Sequence, residues 1–200
     1  MSKINALCVY CGSSPGTDPI FVEAARTLGR ILAENRVRLI YGGGSVGLMG
    51  AVADAVLDNG GAATGIIPEF LTRKERPERR GQDLIVTRDM HERKRKMFDR
   101  ADGFVALPGG IGTLEELVEQ MTWAQLGRHR KPILIANING YWDPLLMLID
   151  HMREQQFVPD GLRVNFLVAQ QVEDILPKVR NAARHVADAE KAMAVPADRM

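Results

Sequence analysis

Short apolar runs alternate with amphipathic segments along most of this 200-residue chain. The first run is "INALCVY" (4–10), and an amphipathic segment from Ile20 to Glu34 follows it after a polar loop. Asp18 before Pro19 is typical of a helix start, since aspartate caps free N–H groups and proline suits a first turn. Short apolar runs bounded by turn residues predict strands buried on both faces. Strands that alternate with helices predict a parallel sheet covered by helices.

The same unit recurs towards the C-terminus. Further strands are predicted in "VRLIYGGG", "AATGIIP", "DLIVT", "GFVALPGG", "PILIANI" and "NFLVAQ", and further helices near 47–59, 90–100, 113–127, 143–155 and 172–185. The predicted fold class is therefore α/β: a single-domain, Rossmann-like, doubly wound parallel sheet of about seven strands with helices on both faces.

Two segments fall outside this alternation. We expect the domain to span residues 1–187 and residues 188–200 to form a C-terminal tail. The stretch 69–82, "EFLTRKERPERRGQ", is dense in charge and lacks periodicity, so we predict a surface loop able to close over a site.

Composition excludes several classes of partner. The formal net charge is +1, so no global field favours nucleic acid or a membrane surface. No stretch approaches the 18 or so apolar residues of a membrane span, and the N-terminal apolar run is too short for a secretory signal. The only cysteines, Cys8 and Cys11, fall on a predicted strand and its exit loop, poorly placed for a disulfide. No second ligand pair follows for a metal, so we expect free thiols, no metal site and a cytoplasmic location.

Two predicted strands end in unusually glycine-rich loops, "YGGGSVGLMG" (41–50) and "PGGIGT" (108–113). Glycine lets backbone N–H groups approach a ligand, and a helix N-terminus adds partial positive charge, which together favour phosphate binding. Neither the P-loop pattern nor a complete dinucleotide fingerprint is present. A mononucleotide or sugar phosphate is the ligand class that the loops favour, and tight strand-to-helix turns are the alternative.

Thr113 and Glu116 follow the second glycine loop. Their spacing is that of a capping box, in which both side chains satisfy the helix start. The alternative is a catalytic carboxylate beside a phosphate site. The predicted apolar stripe of this helix consists of Leu114, Leu117, Val118, Met121 and Ala124. Glu116, Gln120 and Trp123 share a second face, and the tryptophan suggests that this face meets a partner subunit or lines a cleft.

The segment "DMHERKRKMFDR" (89–100) places Arg93 and Lys94 beside an apolar stripe that includes Met97. A guanidinium at the border of a buried face requires an anionic partner, because burying it unpaired is costly. Snorkelling or a structural salt bridge is the alternative for each side chain.

Four motifs together resemble the LONELY GUY (LOG) family, whose members are often mislabelled lysine decarboxylases. These motifs are "VYCGSSPG", "YGGGSVGLMG", "MHERK" and "PGGIGTLEE", and the resemblance extends from Ile4 to about Arg184. It implies hydrolysis of the N-glycosidic bond between N6-modified adenine and ribose 5-phosphate in a nucleoside 5′-monophosphate, with AMP often accepted. It also implies no metal or organic cofactor, and a homodimer with helices of both subunits around each site.

The resemblance implies that Arg93 and Glu116 are the catalytic pair. Together with the glycine loops, it leads us to expect substrate contacts at Gly43, Gly44, Glu75, Met90, Lys94, Gly109, Gly110, Ile111, Gly112, Thr113 and Thr122. Glu116 would stabilise positive charge on the ribose and orient or deprotonate water, and Arg93 would hold the phosphate or ribose and keep Glu116 ionised.

Three other functions remain to be compared with this one. A general salvage nucleosidase for AMP would use the same residues. A non-catalytic nucleotide carrier or sensor would use the same glycine loops without releasing ribose 5-phosphate. A pyridoxal-phosphate decarboxylase is disfavoured, because no lysine lies in a plausible Schiff-base setting.

Overall fold

The computed structural model describes residues 4–75, 81–158 and 165–194. Within them the chain forms a seven-stranded parallel sheet with strand order β4-β3-β2-β1-β5-β6-β7. The strands are β1 (Ala6–Tyr10), β2 (Arg38–Tyr41), β3 (Ala63–Pro68), β4 (Asp83–Thr87), β5 (Gly103–Ala106), β6 (Ile133–Ala136) and β7 (Leu167–Ala169). The predicted fold class is confirmed.

Helices connect these strands. They are α1 (Pro19–Glu34), α2 (Gly47–Asp58), α3 (Glu69–Glu75), α4 (Met90–Arg100), α5 (Ile111–Gln125), α6 (Asp143–Glu154) and α7 (Ile175–Ala194), with short 3-10 turns at Ile138–Gly140 and Val172–Asp174. The N-cap of α1 is Asp18, whose carboxylate accepts a hydrogen bond of 3.0 Å from the N–H of Ile20, as the sequence predicts. Helix α7 extends through much of the expected tail.

The prediction of a loop over 69–82 is wrong for its first half, where α3 lies. This helix has only seven residues, too few for its periodicity to be recognised in the sequence. The hydroxyl of Thr72 donates a hydrogen bond to the carbonyl oxygen of Glu69 within it. Residues 76–80 lie outside the described part of the chain.

Helices cover both faces of the sheet. Helices α1, α2 and α7 pack on one face, against strand residues such as Leu7 and Val9. Helices α4, α5 and α6 pack on the other face, against Cys8 and Tyr10 of the same strand. Successive residues of β1 thus face opposite layers, and this explains why β1 has no charged residue.

The strand order reverses between β1 and β5, and the loops after these strands meet at the carboxyl edge of the sheet. The N–H of Gly12 donates to the carbonyl oxygen of Pro108 (3.0 Å), and the N–H of Leu48 donates to the carbonyl oxygen of Gly12 (3.0 Å). Gly47 has a φ of +63°, and a Cβ there would overlap the backbone of Ser13. Three loops are therefore interlocked where ligands bind in open α/β sheets.

Cys8 and Cys11 are buried free thiols, and burial raises the pKa of both well above the ordinary range. Among the described residues, no helix combines the length and apolar character that a membrane crossing needs.

Candidate active site

Arg93 lies one turn into α4, with its side chain turned towards the sheet. Helix α4 is capped by Asp89, whose carboxylate accepts from the N–H of Glu92 (2.8 Å). The guanidinium Nε of Arg93 donates to the carbonyl oxygen of Ile66 in β3 (3.1 Å). A second nitrogen, Nη1, lies 3.8 Å from the sulfur of Met90. The backbone thus fixes the plane of the guanidinium.

Glu116 of α5 is the anionic partner that the burial of Arg93 requires. The Nη2 of Arg93 lies 3.2 Å from Oε1 of Glu116, and each side chain is 10% exposed. The two residues come from different helices, 23 positions apart in the sequence, and the fold brings them together at the carboxyl edge. The pairing expected from the two motifs is therefore present in the structure.

Burial raises the pKa of Glu116 from its ordinary value of 4.5 to about 7. The positive charge of Arg93 acts against this rise, and the neighbouring carboxylate of Glu115 adds to it. Arg93 thus favours the ionised carboxylate, as expected, although removal from water has the larger effect on the pKa. A carboxyl group with a pKa near neutrality is suited to proton transfer at physiological pH.

Gly42 allows the guanidinium to approach the loop after β2. A Cβ at this position would overlap Nη2 of Arg93 and lie 3.1 Å from the sulfur of Met49. No other residue type fits here unless Arg93 moves. The sequence indicated a glycine-rich loop but assigned its glycines to phosphate binding, and only the structure reveals that Gly42 makes room for a side chain.

Helix α5 begins at Ile111, with Gly110 as an N-cap that has no side-chain capping bond. Thr113 is consequently inside the first turn and buried, and Glu116 lies too far along the helix to return to the cap. The capping-box alternative for Thr113 and Glu116 is therefore wrong. The N–H groups of the first turn have no acceptor within the helix, and no side chain caps them, which favours an anion at this end.

The side of this turn that faces outward is open. A Cβ added at Gly110 or Gly112 would meet no atom within 4 Å, and Ile111 is 81% exposed. Gly109 differs, because a Cβ there would overlap the side chain of Thr113. The hydroxyl of Tyr141 donates a hydrogen bond of 2.7 Å to the carbonyl oxygen of Gly109 and so fixes the orientation of this peptide group.

A cavity of about 350 Å³ lies on the α1 side of the same loop. Its lining includes Ser14, Phe21, Tyr141 and the loop glycines Gly109 and Gly110. No sequence pattern indicated Tyr141, which follows β6 and belongs to none of the recognised motifs. Its ring packs edge-on against Phe21 with 5.5 Å between centroids.

Helix α4 packs against the second face of α5 within the chain. Glu116 and Gln120 are buried within the chain, and Trp123 packs edge-on against Phe98 of α4 with 5.1 Å between ring centroids. This packing buries part of the face, and the expectation that it meets a partner subunit or lines a cleft stays a prediction. Val118, expected in the buried stripe, is instead 45% exposed.

Lys94, an expected substrate contact, is already held within the chain. Its ammonium lies 2.6 Å from Oε1 of Glu115 and 2.9 Å from Oε1 of Glu119. Thr122 lies on another face of α5 from Glu116, and its hydroxyl donates to the carbonyl oxygen of Val118 (2.8 Å). Within one chain, therefore, neither side chain is directed at the Arg93–Glu116 pair.

The remaining expected contacts are two glycines after β2 and one glutamate at the end of α3. Gly43 and Gly44 are buried. Gly43 has a φ of +79°, and a Cβ there would lie 3.2 Å from Cβ of Ile67, so packing alone explains this glycine. The side chain of Glu75 lies outside the described residues. No group of three or more potential metal ligands occurs in the described ranges.

Comparison with known proteins identifies the relatives of this chain. The family model described as "Possible lysine decarboxylase" matches residues 49–179. The cytokinin riboside 5′-monophosphate phosphoribohydrolase LOG7 of Arabidopsis thaliana is 45% identical over 175 residues, which cover 88% of this chain and 81% of the relative. The enzyme of that name from Rhodococcoides fascians is 40% identical, over 88% of this chain and 89% of its own. The chain belongs to the LOG family.

Solved structures share the fold of this LOG-family chain. The molybdenum cofactor carrier protein of Chlamydomonas reinhardtii superposes with a TM-score of 0.68 at 20% identity, over 92% of this chain and 99% of the other. A molybdenum cofactor binding protein from Rippkaea orientalis gives a TM-score of 0.65 at 19% identity, over 90% and 98%. At these identities the likeness concerns the fold alone.

Proposed function

We propose that this LOG-family protein is a phosphoribohydrolase that hydrolyses the N-glycosidic bond of adenosine 5′-monophosphates, including N6-modified ones. The products are the free base and ribose 5-phosphate. The observation that carries the proposal is the buried Arg93–Glu116 pair, 3.2 Å apart beside an uncapped helix N-terminus. The curated relatives named for this activity on cytokinin nucleotides support it.

The proposed chemistry uses the carboxylate of Glu116. As the bond from C1′ to the purine nitrogen breaks, its electron pair goes to the base and positive charge builds on the ribose ring. An ionised carboxylate stabilises that charge and accepts a proton from the attacking water, whose oxygen bonds to C1′. The base takes up a proton as it leaves. These steps need no metal or organic cofactor.

Arg93 has two roles in this proposal. Its guanidinium lowers the cost of ionising Glu116 in a buried setting, and its contacts with Ile66, Met90 and Glu116 do not use all of its N–H donors. It would bind the ribose or the phosphate of the nucleotide with those donors. Met90 and the loop after β2 lie around it and would border the same space.

The first turn of α5 would bind the 5′-phosphate. The uncapped N–H groups at Gly110, Ile111, Gly112 and Thr113 are suited to a dianion, and the open space at Gly110 and Gly112 permits close approach. Binding energy from the phosphate would hold C1′ in place near Glu116. We therefore expect monophosphates to be preferred to nucleosides.

We further propose that the protein is a homodimer that associates through α5 and α6. A cavity of about 290 Å³ between these helices is lined mostly by apolar side chains, among them Leu114, Val118 and Leu148. Val118 and Leu148 are exposed in the single chain, although burying them would be favourable. Thr122 lines the same cavity, so a dimer is the arrangement in which it would approach a site.

A non-catalytic nucleotide carrier or sensor is the competing function. Both functions predict AMP binding, and only the hydrolase predicts free adenine. The test is to incubate the protein with AMP, N6-isopentenyl-AMP, other nucleoside monophosphates and the matching nucleosides, and to measure free base by chromatography. Base release from adenosine monophosphates supports the proposal, and tight AMP binding without base release would overturn it. Comparable rates on AMP and N6-isopentenyl-AMP would favour general salvage.

A further inference from the structure

Gln120 of α5 has a buried side-chain amide without a direct partner. The residue is 1% exposed, and neither Nε2 nor Oε1 of the amide makes a hydrogen bond within the described part of the chain. Burying an amide without hydrogen bonds is costly, so buried amides in folded proteins are almost always bonded to protein groups or to ordered water. The side chain therefore indicates a small polar site inside the protein.

The residue before Gln120 contributes another unpartnered atom. Oε2 of Glu119 is buried and has no hydrogen-bond partner among the described residues, while its Oε1 lies 2.9 Å from the ammonium of Lys94. Glu119 and Gln120 follow Glu116 by three and four positions, so their side chains flank it on the next turn. Side chains of a helix lean towards its N-terminus, which directs both polar groups towards the turn that carries Glu116.

His129 fixes the backbone of this turn. Burial lowers the pKa of His129, which keeps the ring neutral near pH 7. The N–H of Lys131 donates to Nδ1 of His129 (3.1 Å), so Nε2 carries the proton and donates to the carbonyl oxygen of Gln120 (3.1 Å). Phe98 and Trp123 pack edge-on beside it with 5.1 Å between ring centroids. The amide is thus held inside the protein, where a nucleotide does not reach it.

Water is the ligand that fits these atoms. The amide has donors at Nε2 and an acceptor at Oε1, and Glu119 adds an acceptor at Oε2. A buried water makes about three hydrogen bonds to protein groups. It accepts from Nε2 of Gln120, donates one hydrogen to Oε2 of Glu119 and has its second hydrogen for the carboxylate of Glu116. A further water can donate to Oε1 of the amide.

We propose that Gln120 is a positioning residue that, together with Glu119, binds buried water one turn below Glu116, and that this water donates a hydrogen bond to the Glu116 carboxylate. The inference rests on the proposed hydrolase function, because Glu116 is the group that acts on the ribose. A hydrogen bond from water favours the ionised carboxylate and fixes its orientation. Gln120 acts through Glu116 and does not touch the nucleotide.

The first test is a high-resolution crystal structure of the parent protein. An ordered water oxygen is expected within about 2.7–3.2 Å of Nε2 of Gln120 and of Oε2 of Glu119. Gln120→Met keeps the length of the side chain and is suited to a helix, and its electron density should lack this water. Electron density of the parent protein without a water at the amide would overturn the proposal, whatever the activity of the protein.

The second test compares base release from AMP by the parent protein and by Gln120→Met, from about pH 5 to pH 9. The rise of kcat/KM with pH is expected to move up by about half to one pH unit in the variant, because Glu116 loses a hydrogen bond that favours its ionised form. On the alkaline plateau, KM should stay within about twofold of the parent value, since no nucleotide contact is lost. AMP titrates identically in both assays, so the shift belongs to the protein.

The titratable groups around Glu116 are the same in both proteins. They are Arg93 and Lys94 of α4, Glu115 and Glu119 of α5, Cys8 and Tyr10 of β1, and Cys11 after it. A shift of the profile therefore originates at Gln120. Gln170→Met is the matched control, because Gln170 is exposed after β7, and it should leave both the profile and KM unchanged.

The outcomes separate this inference from the function on which it rests. Absence of base release in the parent protein refutes the hydrolase, and the electron density alone then decides the water site. In an active parent protein, a Gln120→Met variant with an unshifted profile, or with KM raised about tenfold or more, overturns the role of Gln120. If Gln120→Met does not fold, the electron density of the parent protein decides, because it needs no substitution.

Discussion

The guanidinium of Arg93 lies 3.2 Å from the carboxylate of Glu116, and both side chains are buried. A buried ion pair of this kind adds little stability on balance, because removing both charges from water costs about as much as their attraction returns. The pair lies at the carboxyl edge of the sheet, and Glu116 is on the same helix as the uncapped N-terminus of α5. This position indicates a chemical role instead.

Removing the carboxylate should abolish most of the activity. Glu116→Gln keeps the size of the side chain but cannot stabilise positive charge on the ribose, so adenine release from AMP should fall by at least about a hundredfold. Glu34→Gln, on an exposed position of α1, is the control and should release adenine at the parent rate. A Glu116→Gln protein that turns over AMP like the parent would falsify the assignment.

Removing the guanidinium should have an effect of similar size. Arg93→Ala loses the counter-charge of Glu116 and its donors at the carboxyl edge, and we expect a loss of at least about a hundredfold in adenine release. Arg95→Ala changes an exposed arginine on the same helix and should have no effect. Circular dichroism of both variants distinguishes lost activity from lost folding, and a folded, fully active Arg93→Ala protein would contradict the proposal.

The pH dependence follows from the raised pKa of Glu116, about 7. Below that pH the carboxyl group is protonated and inactive, and above it the group is ionised, so activity should rise through neutrality. The phosphate of AMP titrates near pH 6 and contributes to every profile. The diagnostic is therefore a difference between two pH–activity profiles. The rise in activity near pH 7 should be absent from the profile of the residual activity of Glu116→Gln. An identical rise near pH 7 in the parent protein and in Glu116→Gln would mean that another group titrates there.

The sequence predicted the fold because the alternation of apolar strands with helices repeats along most of the chain. The pairing of Arg93 with Glu116 was implied by the resemblance to the LOG family, because the two residues fall on two of its motifs. The start of α5 was missed, because Gly110 caps it without a side chain and Thr113, three residues further along, was a plausible cap from its residue type. Spacing along a helix does not reveal which residue begins it.

Long-range contacts account for the rest of what the sequence did not reveal. The salt bridges of Lys94 depend on the separation of α4 and α5, and the hydrogen bond from Tyr141 to Gly109 depends on where the chain turns after β6. The fit of Gly42 to the guanidinium depends on both β2 and α4. None of these contacts has a periodic or local signal, so only coordinates reveal them.

Gly42 provides a test of this last contact. Gly42→Ala places a methyl group where Nη2 of Arg93 lies, so the guanidinium must move and adenine release should fall by at least about tenfold. A double-mutant cycle is the control, because a change that acts through Arg93 should add nothing to Arg93→Ala. Fully additive losses in the double variant would mean that Gly42 acts by another route.

Tyr141 should affect phosphate binding and not the chemical step. Its hydroxyl fixes the carbonyl of Gly109, and because a peptide bond is planar the N–H of Gly110 then points the opposite way. In Tyr141→Phe the ring still packs against Phe21, but the peptide is free to rotate. Affinity for ribose 5-phosphate, measured by calorimetry, should fall by about fivefold, which corresponds to one hydrogen bond. Free adenine should bind as before, and an equal loss for both ligands would indicate a general disturbance of the site.

Association through α5 and α6 is tested by placing a charge in the apolar cavity between them. Val118→Asp puts a carboxylate where burial against a second copy would be very costly, so sedimentation should show a monomer where the parent protein is a dimer. Ala189→Asp, on an exposed position of α7 in the opposite layer, is the matched control and should remain dimeric.

If helices of both subunits surround each site, the Val118→Asp monomer should also lose adenine release while keeping its helical content. A parent protein that sediments as a monomer at micromolar concentration, or a fully active monomeric variant, would mean that each chain carries a complete site and that the exposed face of α5 serves another purpose.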